Sequence, residues 1–228
     1  MEFASEMVIK AALKRQTIAE VATTLSPDLR DRPPHLRPWR DGWRHLRYLF
    51  MLSPSGLFAA PAAAGAAISL SVLIAALWSA MATPATPSMF GNYWVILAAA
   101  MLGMSHMGAI LALAGHLYGV GAGYRRPKAW VTRLSACVSL ETMAVSGAAS
   151  AALGLTVLLG VVAAWQARSF GPTDSVLPAV IGTLLLTLGV QNVFGGFLLA
   201  IVSGNEACFL AAPAAAPSAG SQLEQAAA

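Results

Sequence analysis

Six arginines and two histidines fall within residues 30–47, in the run RDRPPHLRPWRDGWRHLR, just ahead of a long apolar stretch. A guanidinium presents five donors in a planar fork that matches phosphate oxygens. Beside a membrane span, such a cluster belongs at the cytoplasmic face, near lipid phosphates. From residue 38 the pattern is periodic. Trp39, Trp43, Leu46 and Phe50 share one helical face, and Arg40, Arg44 and Arg47 share the adjacent one. This is an interfacial amphipathic helix, with tryptophans suited to the headgroup layer and arginines to phosphate. Ser53 and Pro54 then break it.

Other chemistry-bearing residues lie inside apolar segments. His106 sits in MLGMSHMGA beside Met101, Met104 and Met107. An intramembrane ionisable residue is a functional hypothesis by default. Copper would want these soft ligands, and haem would want a facing histidine. His116 lies ten residues on without facing His106, and the other apolar segments contain no histidine. A neutral histidine bonded to a neighbouring helix is therefore the expectation, with no metal. Gln191 and Asn192 read as interhelical hydrogen-bonding residues. Glu141 is expected to pair with Arg133 or with the interfacial arginines. No string of carboxylates crosses the apolar segments, which counts against a pump.

The elements that position these residues follow from hydropathy. Mean hydropathy is +0.66 and only 11% of the 228 residues are charged, against about 25% in a soluble domain. Four stretches reach the roughly 20 apolar residues of a membrane span: about 57–82, 93–118, 145–167 and 176–202. Nine of the fourteen Lys and Arg precede residue 48, and four more lie at Arg125, Arg126, Lys128 and Arg133. The positive-inside rule then puts both termini in the cytoplasm. Two cysteines, Cys137 and Cys208, offer no disulfide framework. The expected fold is an all-α membrane protein: four transmembrane helices preceded by the interfacial helix and by a remnant helix–strand pair. Gly115, Gly119 and Gly123, and Gly147 with Ala151, are small residues at four-residue spacing that suit close helix packing.

Residues 2–15 have helical spacing, and residues 17–25 (TIAEVATTL) alternate as a strand. A lone strand needs a sheet to receive its backbone groups. The pair therefore reads as the end of an α/β domain whose body would precede Met1. The organisation expected is a domain remnant over 1–29, a basic juxtamembrane segment over 30–54, a four-helix membrane domain over 55–204 and a flexible Ala/Pro-rich tail over 205–228.

Residues 1–54, from MEFASEMVIKAALKRQ to LRYLFMLSP, resemble the C-terminal part of a bacterial family 2 glycosyltransferase of the dolichol-phosphate or undecaprenyl-phosphate sugar synthase type. LSACVSLETMAVSG (134–147) and LTLGVQNVFGGFLLAIVSG (186–204) extend the resemblance more loosely. It implies a catalytic domain of the GT-A type, closed by such a segment and leading through an interfacial helix into the spans. The departure is that this chain has no D-x-D metal motif and no Gly-rich phosphate loop. A truncated or split member is expected, and a divalent metal (Mg or Mn) only in an intact one.

The resemblance also implies roles. A polyprenyl phosphate enters from the cytoplasmic leaflet and attacks the sugar's anomeric carbon, and a nucleoside diphosphate leaves. Arg32, His35, Arg37, Arg40 and Arg44 are the candidates for gripping the lipid phosphate by charge-assisted hydrogen bonds. A generic anchor to anionic headgroups is the competing reading. Glu6 is a candidate for the edge of the catalytic cleft, or it favours the start of its helix through the dipole. The expected partners are membrane lipid, polyprenyl phosphate and a separate GT-A chain docking on residues 17–25, with no nucleic acid. The expected location is the bacterial inner membrane. The contrasting expectation is a self-standing four-span accessory subunit or small transporter.

Overall fold

The computed structural model describes residues 2–24, 37–82, 91–123, 125, 127, 129, 131, 138–173 and 175–209. Helix α1 is Glu2–Leu13 and α2 is Pro38–Leu52; a π-helical turn, Ser55–Ala59, runs directly into α3, Ala60–Ala82. Helices α4 (Asn92–Gly121), α5 (Leu140–Ala167) and α6 (Leu177–Val202) complete the bundle. Among the described residues there is no strand. The chain is an all-α, multi-pass membrane protein. Its four long helices carry 26 to 30 residues each, so each exceeds the roughly 30 Å of a bilayer's hydrocarbon core at about 1.5 Å per residue.

Each boundary has a local cause. Pro38 opens α2, where its missing N–H costs nothing and its fixed φ suits the first turn. The Arg37 backbone N–H donates to the Asp41 carboxylate at 3.0 Å. Helix α5 begins at Leu140, five residues before the stretch its hydropathy suggests. Ser139 and Thr142 close a capping box there: the Thr142 N–H donates to Ser139 Oγ at 3.2 Å and the Ser139 N–H to Thr142 Oγ1 at 2.8 Å. The π-helical turn precedes Pro61, which has no N–H for the carbonyl of residue 57, so the regular α-helical ladder cannot run through this point.

The segment expected to be a strand finds no sheet edge over the described residues. Residues 16–24 have no strand pairing, and Ile18 and Val21 are exposed. A strand is defined by a partner, and no edge among the described residues offers one. The segment is therefore unpaired among the described residues.

The spans pack side by side in the order α3, α4, α6, α5. Glycine sets the closest approach. A Cβ on Gly154 would lie 2.5 Å from the Leu186 nitrogen, and one on Gly189 would lie 2.5 Å from both the Ala151 nitrogen and the Gly147 carbonyl oxygen. Backbone therefore meets backbone between α5 and α6, with no room for a side chain. The expected Gly147–Ala151 pair lies on this seam. Gly115, Gly119 and Gly123 do three different things. Gly115 receives Pro54, the Gly119 carbonyl accepts the Arg125 N–H at 3.0 Å, and Gly123 turns the chain at φ +72°. At this end of the bundle Ala114, Val131, Met143, Leu199 and Phe209 form the buried core. The chain beyond α6 folds back over it, with the Leu140 N–H donating to the Ala207 carbonyl at 2.9 Å.

Candidate functional site

Helix α2 keeps the two faces its sequence implies. Trp39 is 90% exposed and Trp43 57%, with Leu46, Leu49 and Phe50 also open. That unpacked apolar face suits the headgroup boundary rather than water. Arg40 and Arg44 flank Asp41 at 3.8 and 4.0 Å. Both guanidiniums are about half exposed, so these contacts are long and solvent-screened, and the cations remain open to a phosphate. Arg37 caps the helix and is exposed. The other two phosphate candidates, Arg32 and His35, lie outside the described residues.

Glu6 is engaged within the head. Its carboxylate accepts from Lys10 Nζ at 2.6 Å. Hydrogen bonds from Lys10 and then from Tyr48 hold its pKa below the usual glutamate range. Tyr48 lies on α2, so Glu6 links α1 to the interfacial helix.

Where α2 ends, the chain turns at Ser53, and Pro54 seats on Gly115 of α4. The Arg125 side chain, just beyond α4, donates through Nη2 to the Leu52 carbonyl at the end of α2. Its Nε is buried and has no partner among the described residues. In the sequence, Arg125 bears only on topology. The signal that could have found it is a basic residue two positions after a helix-ending glycine, Gly123, where the chain must turn back.

Deeper in the bundle, His106 Nδ1 and Gln191 Oε1 are 3.0 Å apart. Asn192, the next residue, turns to the other neighbour and donates to the Met143 carbonyl at 3.1 Å and to Ser146 Oγ at 2.9 Å. Both expectations of interhelical bonding are met. Glu141 accepts from Ser139 Oγ at 3.2 Å; Arg133, its expected partner, lies outside the described residues. Although His106 and His116 are ten residues apart, both line one cavity of about 440 Å³ between α3 and α4. A larger groove of about 800 Å³ lies between α4 and α6, with Thr183, Thr187 and Gln191 along one wall. No three His, Cys, Asp or Glu side chains converge among the described residues. These residues do not fit a divalent metal.

Residues 113–203 match the family described as the glycosyltransferase family 2 C-terminal transmembrane region. The chain is also 30% identical over 210 residues to the low-salt glycan biosynthesis hexosyltransferase Agl6 of the archaeon Haloferax volcanii. That alignment covers 87% of this chain and 47% of the relative, so the chain spans about half the relative's length. No solved structure matches.

Proposed function

We propose that this chain is the membrane-anchoring, lipid-acceptor-side portion of a family 2 glycosyltransferase, a reading supported by the similarity of residues 113–203 to that family's C-terminal transmembrane region. The reaction served moves a sugar from a nucleotide-sugar to a polyprenyl phosphate at the cytoplasmic face of the cytoplasmic membrane, with both termini inside. The observation that carries this reading is the two-faced helix α2. Its exposed tryptophans lie beside the cations of Arg40 and Arg44, and only Ser53 and Pro54 separate the helix from the first span along the chain. A lipid phosphate needs that combination: charge-assisted donors at headgroup depth and an apolar surface beside them. The donor nucleotide and its metal need a D-x-D carboxylate pair, which is not among these 228 residues. On this reading the portion transfers no sugar by itself, and a GT-A catalytic unit completes the site.

The test uses the full chain in phosphatidylcholine vesicles with a photoreactive polyprenyl phosphate. Crosslinks are expected on α2, and the double variant Arg40→Gln, Arg44→Gln is expected to reduce them several-fold. Equal crosslinking by the uncharged prenol, or none on α2, would overturn the reading.

A further inference from the structure

The geometry points to a phospholipid site at the corner between α2 and the first two spans, with Arg125 as its headgroup ligand. Three observations converge. Arg125 is held against the Leu52 carbonyl, while its buried Nε has no partner and no carboxylate lies within ion-pairing distance among the described residues. A guanidinium that is partly out of water without a counter-charge is costly, and an anion that reaches it removes part of that cost. Arg126 and Lys128 follow closely in the sequence, so the local charge favours an anionic headgroup.

The second observation is the cavity between α3 and α4, whose lining begins at Ser55, just along the chain from that corner. Ser55 lies three residues beyond Leu52; six of the thirteen lining residues are alanines, and Leu102, Ser105, His106, Leu113, His116 and Val131 supply the other walls. Ala63 and Ala109 are exposed, so the slot opens sideways, toward lipid in a membrane. Its volume of about 440 Å³ includes the space that the six alanines leave between the two helices.

The third is depth. The wall from Ser55 in the π-helical turn to Ala66 on α3 spans about 16 Å at the helical rise, and the α4 wall from Leu102 to His116 about 21 Å. Half of a bilayer's hydrocarbon core is about 15 Å. A slot one leaflet deep, below a cation at the headgroup plane, fits one acyl chain of a phospholipid. A long polyprenyl chain would overrun it. The occupant is therefore an anionic diacyl phospholipid of the leaflet facing α2, held apart from the acceptor proposed above. Bound there, it joins the interfacial helix to the bundle.

Native mass spectrometry of the full chain from detergent, after incubation with defined lipids, tests this. One phosphatidylglycerol is expected to stay bound per chain, at least fivefold above phosphatidylcholine. Arg125→Gln and the slot-filling Ala109→Phe are each expected to cut retention at least fivefold, whereas Arg125→Lys keeps most of it. Circular dichroism and size exclusion establish that each variant is folded; Ala109 is exposed, so its variant tests the slot even where Arg125→Gln fails to fold. Equal retention of phosphatidylcholine, or normal retention by Ala109→Phe, would overturn the site. Displacement by inorganic phosphate alone would reduce it to a simple anion site, and displacement by an equal concentration of polyprenyl phosphate would overturn the assigned occupant.

Discussion

His106 on the second span and Gln191 on the fourth, 85 residues apart, meet through a hydrogen bond of 3.0 Å within the apolar bundle. Because Oε1 only accepts, the histidine Nδ1 carries the proton in this arrangement. The pair joins two helices whose lipid-facing surfaces offer no hydrophobic drive to associate.

A double-mutant cycle on His106→Ala and Gln191→Ala should therefore give a coupling energy of roughly 0.6 kcal/mol, and at most about 1.7. The measurement is unfolding in mixed detergent micelles. A coupling of zero would mean that the two side chains contribute separately.

The α5–α6 seam should tolerate no side chain. Gly154→Val and Gly189→Val are expected to cost at least the roughly 1–3 kcal/mol typical of overpacking, because backbone atoms cannot yield as a flexible side chain does. Gly160 has open space around its Cβ position, so Gly160→Ala should be nearly neutral. Thermal unfolding of the three variants makes the comparison.

Glu6 predicts a pH-dependent tether. Its folded pKa is depressed by Lys10 and then Tyr48, so the ionised form favours the docked α1. The contribution is present above the ordinary glutamate range and is lost as pH falls below it, through the lowered value. Amide exchange in α1 should speed up in that acidic window. Glu6→Gln should show the fast exchange already at neutral pH.

Topology can be read from Cys208, which is exposed just after the last span. With Cys137 replaced by serine, a membrane-impermeant maleimide should label Cys208 in inverted vesicles and leave it unlabelled in intact cells. Labelling in intact cells would reverse the orientation drawn from the basic residues.

The sequence alone determined the four spans, the two faces of α2 and the interhelical use of His106, Gln191 and Asn192. Hydropathy over 20 residues and side-chain spacing along one helix are local properties, and a polar group in hydrocarbon must find a partner. Partner identity is different, because it depends on which helices are neighbours. Gln191 and Asn192 are adjacent in sequence yet serve α4 and α5 respectively, since the fourth span lies between the second and the third. That order, the three separate roles of Gly115, Gly119 and Gly123, and the meeting of Arg125 with Leu52 were decided only by the tertiary structure. The segment 16–24 shows the same limit: alternation marks a residue pattern suited to a strand, but a strand also needs an edge, and an edge is a property of another segment.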